Sequence, residues 1–270
     1  MELSTILGII VGFGMLILGD ILEHGNPAEL LLLPPAMIVF GGTLGALMVS
    51  YTMNDIKRIP EFFKEAFTAS NSTKDELITF FVKLSQLARS EGLLSLEGAL
   101  ESGEYGKNID PLIVKGIKLV VDGTQPELVK DVLETEVYVL GEHRKIGVSI
   151  FEGAGGFSPT MGIVGTVMGL IKILGNLDDA EALAPAIASA FIATLYGVLF
   201  ANLIFLPMAS KLKGKAKREK MEKEFMIEGI MSIQAGENPT VLKEKLMSFL
   251  VPGEKAKVLA KESANTEERA

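Results

Sequence analysis

Between Glu181 and Lys211 the chain carries no charged side chain. This run constrains the fold more than any other feature, because a helix rises about 1.5 Å per residue and about 20 apolar residues cover the roughly 30 Å of bilayer hydrocarbon. Three further apolar runs, residues 3–22, 30–51 and 156–177, meet the same requirement and, with 185–209, predict four membrane-spanning helices. Lipid offers no partner to backbone N–H and C=O groups, so such spans must pair them internally as helix. Elsewhere no stretch shows the sustained period-two alternation of a half-buried strand. The expected fold class is all-α and integral to the membrane: four transmembrane helices with a helical cytoplasmic domain.

Of the 270 residues, 48% are hydrophobic and 22% charged, with nearly all the charges in 55–152 or 211–270. The organisation read from this segregation is transmembrane helices 1 and 2 in 1–51, a cytoplasmic helical loop in 52–152, helices 3 and 4 in 153–209, and a cytoplasmic tail in 210–270. The tail is polar enough after Pro252 to be expected disordered. A net charge of -8 argues against the basic surface that nucleic-acid phosphates demand. With no cysteine, the chain has no disulfide, thiolate metal site or cysteine nucleophile. The first run lacks a basic flank and a small-x-small cleavage site, and Glu2 stands where a secretory signal carries positive charge, so it reads as a retained helix. The two short hairpin connections hold Glu23, Glu29, Asp178, Asp179 and Glu181 but no Lys or Arg. Lys57 and Arg58 follow the second span, and Lys211, Lys213, Lys215, Lys217 and Arg218 follow the fourth. The positive-inside rule then places the long loop and both termini in the cytoplasm.

Helical periodicity organises the loop. Ile59, Phe62, Phe63, Ala66 and Phe67 share one face of a helix opened by Pro60, as in an amphipathic element at the membrane surface. Thr73 and Glu76 have capping-box spacing ahead of an apolar stripe from Leu77 through Leu84 to Ala88, which ends at Arg89. Gly92 breaks that helix, and Ser95 is placed to cap a short one carrying Glu97 and Leu100. Asp110 and Pro111 start a helix that Gly123 ends, and Pro126 starts a long one running into the third span.

An ionisable group at the bilayer centre costs at least about 3 kcal/mol, so polar residues inside the spans are functional candidates. Asp20 and Lys172 lie near the outer ends of their helices, within reach of headgroups. The deep positions of spans three and four are neutral: Ser158, Thr160, Thr166, Ser189, Thr194, Tyr196 and Asn202. A path for H⁺ or Na⁺ needs a carboxylate, which here must come from another polypeptide. Thr166 and Thr194 are the residues to set beside it, since hydroxyl oxygens suit a hard cation. The competing reading is a threonine that bonds its own i−4 carbonyl. Pro159 and Pro207 bracket the pair, each removing a helix hydrogen bond, as a hinge or as a plain kink. Gly8 with Gly12, Gly41 with Gly45 and Gly165 with Gly169 have small-xxx-small spacing, which suits packing within the bundle or contacts between copies.

The stretches SPTMGIVGTVMGLIKILGNLDD and ATLYGVLFANLIFLPMASKL, with LARSEGLLSLE in the loop, resemble the MotA/PomA family of bacterial flagellar stator subunits. The likeness runs from the first span to about Val251 and includes the four spans and large loop. It implies a multi-pass protein of the bacterial inner membrane, a homopentamer around a MotB/PomB dimer whose helix brings the ion-binding aspartate. The transported Na⁺ or H⁺ would be the only small ligand, with no cofactor. Arg89 and Glu97 match the family's charged pair at the contact with the rotor protein FliG; Glu91 joins that surface, and Ser90 stands where some sodium-type relatives are basic. Pro159 and Pro207 match two functional prolines, and Thr194 a threonine common to both ion types. Thr166 matches a position that is Thr in sodium-type PomA subunits and Ala in enteric proton-type ones, so the resemblance favours Na⁺.

Three other readings compete. An ExbB/TolQ-type energy-coupling subunit would also surround a partner helix, but usually has three spans. An intramembrane enzyme would need a nucleophile or ligand cluster, whereas His24 and His143 lie far apart and outside the membrane. A self-sufficient channel would need a filter or a buried acid. The residues therefore point to an ion-driven motor subunit and not to an enzyme.

Overall fold

The computed structural model describes residues 3–68, 74–101, 109–175 and 180–267, and every regular element among them is helical. Contacts divide the chain into two compact units, Met1–Ser70 with His143–Lys215 and Asn71–Glu142 with Ala216–Ala270. The first unit holds α1 (Leu3–Leu22), α2 (Leu33–Ser50), α3 (Met53–Ile56) and α4 (Ile59–Phe67). The second holds α5 (Lys74–Glu91), α6 (Ser95–Glu101) and α7 (Pro111–Val121). Both units receive residues from α8 (Pro126–Leu174), a helix of 49 residues. The chain then forms α9 (Ala180–Phe200), passes through a π-helical turn at Ala201–Phe205 into α10 (Leu206–Gln234), and ends in α11 (Pro239–Met247) and α12 (Pro252–Glu267).

Four helical stretches are long and apolar enough to cross a membrane: α1, α2, α8 and the α9–α10 run. No residue of α1 is buried, and Ile10, Val11 and Met15 are exposed, as suits a helix facing lipid. In the first unit Leu47, Phe62, Ala66, Phe151, Met208 and Leu212 form one apolar cluster. Phe62 is 1% exposed and Phe63 42% exposed, so α4 sinks one face into this cluster and leaves the other free. Arg58 lies 4.7 Å over the Phe62 ring, donates to Glu61 at 3.0 Å, and donates from Nη1 to His143 Nε2 at 2.5 Å. The hydrogen bond from Arg58 and its charge hold the Glu61 carboxyl below its ordinary range.

The second unit has a larger core, with Phe81, Leu84, Leu96, Ile117, Leu133, Phe225 and Ile230 buried together. Asp110 caps α7 by accepting from the Leu112 N–H at 2.9 Å, and it also accepts from Lys223 Nζ at 2.7 Å. Gly123, at φ +71, ends the helix in the left-handed conformation that a Cβ disfavours. Two local expectations change. Ser95 is the first residue of α6, and its hydroxyl donates to Gly92 O at 2.7 Å instead of accepting from a helix N–H. The tail after Pro252, expected to be disordered, contains α12, whose Val258 is buried in the core at 6% exposure and so anchors an otherwise polar segment. Thr73, Asp178 and Asp179 lie outside the described residues.

Candidate functional site

The site is built on contact between α8 and α9, where glycine lets backbone meet backbone. A Cβ placed on Gly197 would lie 2.6 Å from Ser158 O and 3.1 Å from the Cα atoms of Pro159 and Gly162; one on Gly162 would lie 2.8 Å from Ala193 O. Gly165 and Gly169 face the methyl groups of Ala193 and Ala190, each 2.6 Å from where a Cβ would stand. Ser158, wholly buried, donates its hydroxyl across the seam to Gly197 O at 3.0 Å. Gly165 and Gly169 therefore serve packing within this chain, and Gly12 contacts Leu203, whereas Gly8, Gly41 and Gly45 meet nothing within 4 Å.

This close approach brings Thr166 and Thr194 together, their hydroxyl oxygens 2.5 Å apart and partly buried. Thr166 Oγ1 is also 2.8 Å from Ala190 O and 3.2 Å from Gly162 O. The i−4 back-bond expected of a membrane threonine is thus available, but it is one of several acceptors. Four oxygens converge here and the two hydroxyls supply one proton each, so acceptor capacity exceeds donors. Such a patch is chemically suited to a hard cation once a negative group approaches. Neither α8 nor α9 contributes a carboxylate beside it, and no cluster of acids or histidines able to hold a metal occurs among the described residues.

Tyr196, one turn before Phe200, steadies α9 against the entrance to α2. Its hydroxyl donates to Leu30 O and accepts from the Leu32 N–H at 3.1 Å, and its ring stacks 6.2 Å from Phe40. Pro159 sits within the α8–α9 seam, and Pro207 follows the π turn in which the Leu206 N–H reaches back to Ala201 O. Residues next to the two prolines meet: the Leu206 side chain occupies the space above Gly155, 2.5 Å from where a Cβ would stand. Gly155 is the residue whose carbonyl loses its helical donor to Pro159.

Arg89, Glu91 and Glu97 belong to the other unit. All three are exposed, at the end of α5 and the first turn of α6, on either side of Gly92 at φ +90. Leu96 and Leu84, both fully buried, anchor the elbow from beneath. None of the three charges forms an ion pair with another described residue, so this is not the salt-bridged face that surface charges commonly make. Sequence reasoning named Thr166, Thr194 and the prolines but missed Gly162 and Gly197, which create the site. Their signal was the spacing of Ser158, Gly162, Gly165 and Gly169 against Ala190, Ala193 and Gly197.

Comparison with known proteins identifies the family of the chain. Residues 106–225 match the MotA/TolQ/ExbB proton channel family, and residues 6–92 match the motility protein A N-terminal region. Motility protein A of Bacillus subtilis is 34% identical over 276 residues, covering 100% of this chain and 98% of its own length. Chemotaxis protein PomA of Vibrio alginolyticus is 31% identical over 256 residues, covering 95% and 98%. A chain of the solved flagellar MotAB stator complex from Bacillus subtilis aligns with a TM-score of 0.86 at 34% identity, covering 94% of this chain and 98% of that one. With likeness of this extent in sequence and in fold, the chain belongs to the MotA/PomA family of flagellar motor stator subunits, membrane proteins that couple ion flow to torque and are not enzymes.

Proposed function

We propose that this chain forms the neutral wall of an ion path and that a MotB/PomB-type partner dimer supplies the acidic residue that captures each ion. The juxtaposition of Thr166 and Thr194, 2.5 Å apart with no carboxylate beside them, carries this reading. A proton can travel on a carboxylate alone, but Na⁺ must replace lost hydration with further oxygens, and this wall offers them. The coupling ion is therefore Na⁺; the family resemblance adds that five copies of the chain surround the partner dimer, and the placement of Lys and Arg that the loop and both termini face the cytoplasm of the bacterial inner membrane. Ion loading on the partner's acid changes packing at the threonine pair; Pro159 and Pro207 relay the change, and Arg89, Glu91 and Glu97 act on FliG.

Swimming speed measured at fixed pH over a range of external Na⁺ tests the ion assignment. Wild-type stators should speed up with Na⁺, and Thr166→Ala should lower that response while the protein still reaches the membrane. A response to Na⁺ that is flat in the wild type assigns H⁺ instead, and an unchanged Na⁺ response in Thr166→Ala removes the coordination role. The purified chain in liposomes without its partner should pass no selective current; a robust current would overturn the division of labour.

A further inference from the structure

Between α1 and the α9–α10 run lies a cleft of about 300 Å³, lined by Thr5, Gly8 and Ile9 on one side and Leu203, Pro207 and Lys211 on the other. Its shape follows from two props. Toward the outer end, Gly12 receives the Leu203 side chain, 3.1 Å from where a Cβ would stand, and Phe13 meets Phe200 with ring centroids 5.8 Å apart. Toward the other end, the Lys211 ammonium donates to the Thr5 hydroxyl. Between the props Gly8 meets nothing within 4 Å, so the helices stand apart and leave a mainly apolar slot with one basic, hydroxyl-bearing end. Ser4 adds a second hydroxyl there.

We infer that this cleft binds an anionic diacyl phospholipid, an acyl chain lying along Gly8, Ile9 and Leu203 and the phosphodiester resting on Lys211 and Thr5. Three observations favour that occupant. The slot belongs to α1, a helix with no buried residue and an exposed apolar face. Its polar end sits where the apolar run of span four gives way to lysines, at the level of the headgroups. Its charge is complementary to an anionic lipid, and basic recesses between spanning helices on the cytoplasmic side hold such headgroups. Pro207 forms part of the wall, so an occupied slot fills the space against which that segment would move. The inference is independent of which ion passes the threonine pair.

The test uses the full chain with its partner subunit, purified in detergent, exchanged into nanodiscs of phosphatidylcholine with or without phosphatidylglycerol, and read by native mass spectrometry and thermal melting. Wild type should retain phosphatidylglycerol and melt higher in its presence. Lys211→Gln should lose about fivefold in retention, the worth of one lysine at an anionic surface, and lose the thermal gain. Lys217→Gln, which removes a charge beyond the slot, should keep both. Equal retention in Lys211→Gln and wild type, or equal loss in the two variants, would overturn the site in favour of a protein-covered groove or diffuse attraction. Inorganic phosphate alone reproducing the thermal gain would overturn the acyl-chain half of the inference.

Discussion

Gly197→Ala tests the seam on which the threonine pair depends. The added methyl would stand 2.6 Å from Ser158 O and 3.1 Å from two Cα atoms of α8, all backbone positions that no rotamer change can move. Relief to ordinary contact, about 3.3 Å to oxygen and 3.5 Å to carbon, needs the helices to part by about 0.7 Å. The Ser158–Gly197 hydrogen bond, now 3.0 Å, would then lie beyond hydrogen-bond range. Overpacking costs about 1–3 kcal/mol and a lost interhelical bond in lipid about 0.6, against a helix-propensity gain of about 1 for Gly to Ala, leaving a net loss of about 0.6–2.6 kcal/mol. Gly14→Ala is the control, because a Cβ there meets nothing within 4 Å. Thermal inactivation of the purified stator, followed by fluorescence-detected size exclusion, should show a lower midpoint for Gly197→Ala and no such drop for Gly14→Ala, with the Na⁺ response of swimming falling in parallel. A Gly197→Ala stator as stable and as Na⁺-responsive as wild type would refute the backbone contact.

Charge reversal at Arg89 or Glu97 should weaken torque in tethered cells without lowering membrane assembly, and a compensating reversal in the rotor should restore it; normal rotation of both reversals places the contact elsewhere. Phe81→Ala, at a fully buried ring packed against Gly229 and Phe225, should cost about 3–5 kcal/mol in denaturant unfolding of the stator. The Lys245 hydrogen bond holds the Glu237 carboxyl below its ordinary 4.5, and Glu237 holds the Lys245 ammonium above its ordinary 10.5. The stability from this pair is therefore full at neutral pH, lost as pH falls through the depressed Glu237 value, and lost again as pH rises through the raised Lys245 value. With Lys245 41% and Glu237 26% exposed, solvent screening keeps it under about 1 kcal/mol, so Lys245→Met should melt slightly below wild type at neutral pH and level with it once the pH has fallen through the depressed Glu237 value.

Much of this fold was legible because lipid and helical periodicity act on residue type. The first apolar helix was readable because α1 ends at Leu22 where polarity resumes, and Asp110 capped α7 because a carboxylate before Pro111 satisfies free N–H groups locally. Thr166 and Thr194 stood out by chemistry, yet their contact was invisible: it depends on which face of α9 meets α8, and stripes of Gly and Ala set that face without any polar mark. The π turns at Met37–Gly41 and Ala201–Phe205 escaped for a related reason, since one inserted residue shifts the helical phase without changing composition. The helix after Pro252 was missed because what holds it, Val258 buried in the core and Glu254 accepting from Lys74 Nζ at 3.0 Å, is contact with distant parts of the chain that its polar composition does not show.

The two prolines, equivalent by position in the sequence, are physically unequal. Pro159 stands in regular α-helix with its Cα 3.1 Å from where a Gly197 Cβ would stand, so the missing hydrogen bond is braced by a second helix. Pro207 is exposed, and the turn before it is already wound to i−5 bonding, with Asn202 Nδ2 donating to Val198 O at 2.8 Å in place of a backbone group. Helix with shifted hydrogen bonds and solvent- or lipid-facing sides opens more readily than helix locked backbone to backbone. Movement between span and cytoplasmic end should therefore concentrate at 201–207, with Gly155, one turn before Pro159, as the point against which Leu206 bears. Hydrogen exchange of the partner-bound stator discriminates the two: amides around 201–207 should exchange well before those around 155–162, and the reverse order would move the hinge to Pro159.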